Sequence, residues 1–513
     1  MARNPTARKA LNRIKARMER RHSPVRRDQA TSPLMDAIRD YQHRDALSFS
    51  IPAHAGGRRV VPEAARWAGM EAYRADLPMS HGLDTRDRSW AIQETAQELF
   101  AEAVGADQTL FSTNGSTMSA HVAVMAVAGP GETIAMARNG HKSSIAALVM
   151  SGARPVWVRP QYDRELELTH GIAPAALEEV LDAHPEAKAA MVFTPSYYGV
   201  GCDVRALADL CHARGIPLVT DDAWGLDHSF SDSLPESALA CGADLAIGSV
   251  HKTLTGLSQT SVLSVQGELV DRGRLQRVFD LEESTSVSAL LTSSIDGARL
   301  QFVREGEDLV RHGLAMAARL RERLEPVEGL RIVAPERLLG APGATTVDPS
   351  HVIIELGELG ISGYEADDWM RDERGIDVEL ADHRRLMALV TYAHDAADVD
   401  RLAAALEQLA EEHRSGEPRD ERVAEPDTLV TEQAMVPREA FFAPSEMVAP
   451  DAAVGRISAD IVVPYPPGIP VLVPGEVITE PIAEHLEHVV VLGGFVEGAT
   501  DQALDRFRVV GSD

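Results

Sequence analysis

Lys252 sits in the stretch GSVHKTLTG (248–256), between a Ser249/His251 pair and a small, Thr/Gly-rich run. Three readings suit such a lysine: an idle loop residue, a grip on a phosphate, or a desolvated amine of lowered pKa that forms a carbonyl adduct. The stretch lacks the G-x-x-x-x-G-K-[ST] pattern, which argues against a nucleotide phosphate loop. Upstream, FSTNGSTMSAHVAVMAVAG (111–129) places Asn114, Gly115, Ser116 and Thr117 between a strand end and a helical window. Backbone N–H groups and two hydroxyls at a helix N-terminus make an anion cup, although Ser and Thr also serve there as ordinary caps. In VTDDAWG (219–225), Asp221 and Asp222 end an apolar strand, at the sheet edge where α/β proteins bind ligands. A carboxylate there can pair with a protonated ring nitrogen, ligate a metal or cap a helix; no His/Cys cluster at ligand spacing supports the metal.

An anion cup, a strand-end carboxylate and a lysine beyond a later strand together suit pyridoxal phosphate. That cofactor needs an anion site, an acid partner for its pyridinium nitrogen and a covalent amine.

These residues must be positioned by a sheet. From about residue 95, short β-branched runs alternate with helical windows, the pattern of a mostly parallel sheet covered by helices. Strands are expected at 133–137, 155–159, 189–194, 217–221 and 244–249, with helices at 174–183 and 204–214. A long helical window past 305 leads into a second α/β pattern with a strand at 351–357 and a helix at 398–413. The charged, proline-containing stretch RSGEPRDERVAEPDT (414–428) reads as a linker. Beyond it, the five prolines of 462–476 exclude a long helix and favour extended segments and turns. The basic N-terminal stretch reads as a solvated arm.

At 513 residues, 44% apolar and 25% charged, the chain is long enough for several cores and has the balance of a soluble globular protein. A net charge of -28 argues against nucleic acid as a partner, because phosphate neutralisation needs a basic surface. Cys202, Cys211 and Cys241 are too few and too irregularly spaced for a disulfide framework, which points to the cytoplasm. No apolar run approaches the roughly 18 residues of a membrane span, and the N-terminus has no secretory-signal core.

Ten stretches in order, among them STNGST, RNGHKS, TPSYYGV, DDAWG, LPESAL, SVHKTLTGLSQTS, STSVSALLTSSID, PREAFFA and GRISADIVVPYPPGIPVLVPGE, carry a resemblance to the pyridoxal-phosphate-dependent ornithine/lysine/arginine decarboxylase family. The likeness covers roughly residues 50–486 and implies the aspartate-aminotransferase fold type. It divides the chain into a basic arm (1–30), a segment packing on the dimer (31–90) and a cofactor-binding large domain (91–310). A small α/β domain (311–413), a linker (414–430) and a C-terminal α+β decarboxylase domain (431–513) follow.

Position by position, the resemblance makes Lys252 the Schiff-base lysine, Asp221 the pyridinium partner and His141 the residue stacked on the ring. Gly115, Ser116, Thr117, Ser249 and His251 would hold the phosphate, Ala223 would pack under the ring, and Ser196 would lie near the ring hydroxyl. Thr285 and Ser286 would reach the site of the neighbouring subunit, so a homodimer with shared active sites is expected. The implied reaction converts a basic amino acid to its amine and carbon dioxide, as in polyamine biosynthesis. The alternatives are another reaction of the same cofactor and fold, an aminotransferase or lyase, and a catalytically silent regulator.

Several positions depart from the family pattern. Its opening T-P-G-H-K/M-x-G is IPAHAGG here, S-T-H-K is SVHK and T-S-P-S is TSVS. The Glu of R-x-S-A-E is Asp460, one methylene shorter, in a region that the resemblance implies contacts the substrate's distal cation. Asp460 is therefore expected to bind substrate. Relative to the long acid-induced members, no receiver-like domain precedes the catalytic core, so rings built through that domain are not expected.

Overall fold

Short, largely apolar runs become the centre of a seven-stranded sheet in the computed structural model. The structure describes residues 28–44, 47–79, 83, 89–414, 416–419, 422–465 and 468–511. The arm expected at 1–30 therefore lies almost wholly outside the described residues. The strands are β1 (Gln108–Ser112), β2 (Thr133–Ala137), β3 (Arg154–Val158), β4 (Ala190–Phe193), β5 (Leu218–Asp221), β6 (Leu245–Ser249) and β7 (Ser261–Val265). Their order is β1-β7-β6-β5-β4-β2-β3. All neighbours are parallel except β1/β7 and β7/β6. Every residue of β2, β4, β5 and β6 is buried, as expected of parallel strands covered on both faces. The five expected strands all form, each within a residue or so of its expected ends.

Two helix layers provide the cover. On one face α1 (Gly115–Val127) and α2 (Lys142–Ser151) pack their Ala, Val and Leu residues against Ile134, Met136, Val219 and Ile247. On the other, α3 (Pro174–Ala183) and α4 (Val204–His212) bury Leu177, Leu181, Leu207 and Cys211 against Val158, Val192 and Leu218. A fully buried leucine such as Leu207 contributes about 2 kcal/mol by burial. Register then sets the site: Phe193, Asp221 and Ile247 lie side by side across β4, β5 and β6. The turns after these strands leave from one edge, which gathers residues remote in sequence.

The 36-residue helix α5 (Ala289–Leu324) connects this sheet to a second one. There β8 (Arg331–Ile332), β9 (His351–Glu355), β10 (Leu380–Ala381) and β11 (Arg385–Leu389) run in the order β8-β9-β11-β10, antiparallel throughout. Helices α6 (Gly363–Arg374) and α7 (Ala396–His413) cover it, both opening on capping boxes. The C-terminal residues form the two-stranded pairs β12 (Ser445–Val448) with β15 (Phe507–Val510) and β13 (Val463–Tyr465) with β14 (Phe495–Glu497). Helix α8 (Glu480–Val491) packs Ile482 and Leu486 into their own core. Among the described residues no helix is long and apolar enough to cross a membrane, and no His/Cys/Asp/Glu group could hold a metal.

Candidate active site

Lys252 lies in a single helical turn, Val250–Thr253, immediately after β6. Its Nζ stands 4.2 Å from the centre of the Trp224 ring. Burial lowers the lysine pKa, while the charges of Asp221 and Glu379 act to raise it. Such an amine is closer to its nucleophilic neutral form than an exposed one.

Asp221 ends β5 with only 3% of its surface exposed. Burial pushes its carboxyl up to about 6, against the opposing pull of Lys252 and of the Ala223 N–H, which donates to it. Its Oδ1 has no hydrogen-bond partner. The turn after it is tight at Gly225, where a Cβ would meet Asp222 Oδ1 at 2.2 Å. Ala223 is buried in this turn beneath the site.

His141 is the N-cap of α2, its Nδ1 accepting the Ser143 N–H at 3.2 Å. Burial first, then the charges of Lys252 and Lys142, push its pKa down to about 4, so the ring is neutral at pH 7. Its Nε2 faces the Tyr465 hydroxyl at 3.4 Å.

At the start of α1, Asn114 makes no side-chain cap and Gly115 adopts φ 74, with nothing within 4 Å of where a Cβ would stand. Ser116 Oγ is 2.6 Å from Ser249 Oγ and donates to Ser261 Oγ at 3.1 Å. Thr117 is exposed beside them. His251 donates Nδ1–H to the Thr260 carbonyl at 2.9 Å, and burial lowers its pKa. Its Nε2 would therefore need a second proton before it could donate to an anion. Ser196 is buried after β4, its Oγ accepting the N–H groups of Tyr198 and Val200 and its own proton remaining to donate.

The fold thus gathers Lys252, Asp221, Ala223, His141, Ser196, Ser249, His251 and the Gly115–Thr117 turn at one sheet edge. Three candidates do not join them. Thr285 and Ser286 lie exposed just before α5. Asp460 is buried in the C-terminal unit, where its oxygens accept Thr500 N–H at 2.7 Å and Thr500 Oγ–H at 3.1 Å and pair with Arg508 at 3.3 Å. This geometry is that of a structural carboxylate. Asp460→Ala is expected to cost about 1–3 kcal/mol of stability, measured by denaturant unfolding, with KM unchanged; a raised KM at unchanged stability would restore the substrate role.

Sequence reasoning overlooked several groups. Trp224 and Tyr197 lie inside quoted motifs, so only their proximity was hidden. Glu379 comes from the strand-edge turn of the second sheet and interacts electrostatically with Lys252; burial raises its pKa, against the Lys252 charge. Tyr465 and Glu497 reach in from the C-terminal unit, and Glu497 pairs with Lys142. Tyr465 too lies inside a quoted stretch, GRISADIVVPYPPGIPVLVPGE, whereas no quoted stretch contains Glu379 or Glu497.

The family model for the Orn/Lys/Arg decarboxylase major domain matches residues 32–398, and that for the C-terminal domain of the same enzymes matches 422–496. The chain belongs to the Orn/Lys/Arg decarboxylase family. An arginine decarboxylase of Halalkalibacterium halodurans is 37% identical over 482 residues, covering 94% of this chain and 98% of that protein. The arginine decarboxylase of Bacillus subtilis is 37% identical over 485 residues, again covering 94% and 98%. Among solved structures, lysine decarboxylase A of Pseudomonas aeruginosa superposes with a TM-score of 0.78 at 20% identity, covering 94% of this chain and 81% of that one. The fold is thus the expected α/β class, with a mostly parallel central sheet.

Proposed function

We propose that this family member, a decarboxylase of basic amino acids, acts on arginine and carries pyridoxal phosphate on Lys252. The carrying observation is the buried Asp221 carboxylate, whose Oδ1 is left without a partner beside a desolvated lysine. A cationic ring nitrogen would satisfy that oxygen and favour the ionised carboxylate. The uncapped start of α1, open in front of Gly115 and lined by Ser116 and Ser249, suits the phosphate. His141, neutral and hydrogen-bonded at both nitrogens, offers a flat face rather than a charge.

When bound, the cofactor supplies an electron sink for the pair left on the α-carbon as the carboxylate departs as carbon dioxide. The chain's own groups do the rest. Asp221 holds a positive charge at the far end of the sink. The partly desolvated site disfavours the departing carboxylate more than the product. Lys252 is the proton donor proposed for the α-carbon, since the His251 proton is held by the Thr260 carbonyl. Support for arginine comes from relatives named arginine decarboxylase at 34–37% identity, against 22–24% for lysine decarboxylases.

The dimer belongs to the same proposal, with the exposed Thr285 and Ser286 completing a neighbour's site. Three free thiols support a reducing, cytoplasmic setting, and a product of this kind would feed polyamine synthesis.

Mass spectrometry of products from purified, cofactor-loaded protein with arginine, lysine or ornithine tests the reading. Arginine is expected to give agmatine with kcat/KM about 100-fold above lysine. A diamine as the favoured product would overturn arginine as substrate, and no amine from any of them would overturn the reaction.

A further inference from the structure

Two acceptors compete for the amide of Asn114, the N-cap of α1. An asparagine at that position ordinarily turns its side-chain oxygen onto the N–H groups of the second and third helical residues. Those residues are Ser116 and Thr117, whose N–H groups are also the ones a phosphate at this helix start would use. The Asn114 side chain makes no such bond. Its Nδ2 donates instead to Glu283 Oε1 at 3.1 Å, with Met118 Sδ at 3.4 Å.

Glu283 directly follows the helix Arg272–Glu282, which packs Leu275 and Phe279 into the same core as α1. That packing brings its carboxylate to the turn before α1 from 169 residues away. The N–H and the hydroxyl of Thr113 each donate to it at 3.4 Å, and the Ser284 N–H does so at 2.8 Å. An ionised carboxylate only accepts, so the Asn114 amide must present its nitrogen to Glu283. The donors nearest in sequence are spent as well, Asn114 N–H on Ser112 Oγ at 3.2 Å and Gly115 N–H on the Gln259 carbonyl at 2.8 Å. Among the described residues no acceptor stands at the N–H groups of Ser116 and Thr117.

By charge alone, a carboxylate beside an anion cup opposes the anion. Its place is explained by what it does to Asn114. We propose that Glu283 is a positioning residue for the cofactor phosphate: by holding the Asn114 amide, it keeps the N–H groups of Ser116 and Thr117 open for the anion. Glu283 itself touches neither cofactor nor substrate in this role. The role rests on the proposed cofactor and on its phosphate lying at α1.

Absorbance titration of the cofactor-free full chain with pyridoxal phosphate, and separately with pyridoxal, tests it. Both carry the same aldehyde, so the ratio of their Kd values isolates the phosphate. Glu283→Ala should lower the preference for pyridoxal phosphate about fivefold, because the released amide caps the helix in the anion's place. Removal of a negative charge would by itself raise that preference. A side chain that merely anchored the turn would weaken both aldehydes together and leave the ratio alone. On an Asn114→Ala background, which has no amide to cap with, Glu283→Ala should not lower the preference. Circular dichroism checks that each variant folds, and Glu283→Leu, of similar bulk and without an acceptor, replaces an alanine variant that does not. A preference that rises in Glu283→Ala, stays as in the parent, or falls equally on both backgrounds would overturn the positioning role and leave the cofactor reading standing. A parent with no preference for pyridoxal phosphate over pyridoxal would overturn the cofactor reading, and this role with it.

Discussion

Lys252→Ala is expected to lower turnover by about 10⁴-fold or more and to replace the absorbance of the lysine-linked cofactor by that of the free aldehyde. The argument is geometric. Lys252 is held by a single helical turn after a buried strand and stacks over Trp224 at 4.2 Å, in surroundings that lower its pKa. Asp221 and Glu379 are carboxylates and cannot make a carbonyl adduct, and Lys142 is occupied by Glu497. Truncation leaves the anion cup of α1 intact, so weakened, non-covalent cofactor binding should persist. The measurement pairs single-turnover kinetics with absorbance spectra and circular dichroism. A variant that folds, keeps the parent's absorbance and still turns over would remove Lys252 from the mechanism.

Much of this centre could be read from the chain because its parts are local. Asn114–Thr117, Asp221–Ala223 and Ser249–Lys252 each follow a buried strand. A strand with apolar residues on both faces leaves the same mark in sequence wherever it occurs. What the strands cannot announce is which loops meet. Glu379 and Glu497 arrive from units with their own cores, and no motif around them marks an approach to the site. Asp460 shows a limit of another kind. A motif position suggested contact with substrate, but the side chain is taken up by Thr500 and Arg508, partners some forty residues on whose approach depends on how β13 and β15 pack. Motifs report chemistry well at strand ends and poorly where a side chain can turn inward to its own unit.

Asp221→Asn should separate function from stability in opposite directions. Turnover is expected to fall by about 10²–10³-fold, because an amide can accept the Ala223 N–H but cannot hold a positive charge at the ring nitrogen. The cofactor-free variant should nonetheless be more stable than the parent at pH 7. Burial raises the folded pKa of Asp221 from 3.8 to about 6, so the folded chain prefers the protonated acid more strongly than the unfolded chain does. The stability linked to this group is therefore fully present below the unfolded value of 3.8 and is lost as pH rises through 6. Above that pH the ionised carboxylate costs the fold roughly 3 kcal/mol, which asparagine avoids. Thermal melts of the cofactor-free proteins should show the variant's advantage largest at pH 7 and shrinking toward pH 4. With cofactor bound the order should reverse, since the carboxylate then faces a cation. A variant no more stable than the parent at pH 7 without cofactor would mean that Asp221 is already matched by a charge within the chain, and its unpartnered oxygen would no longer argue for a ring nitrogen.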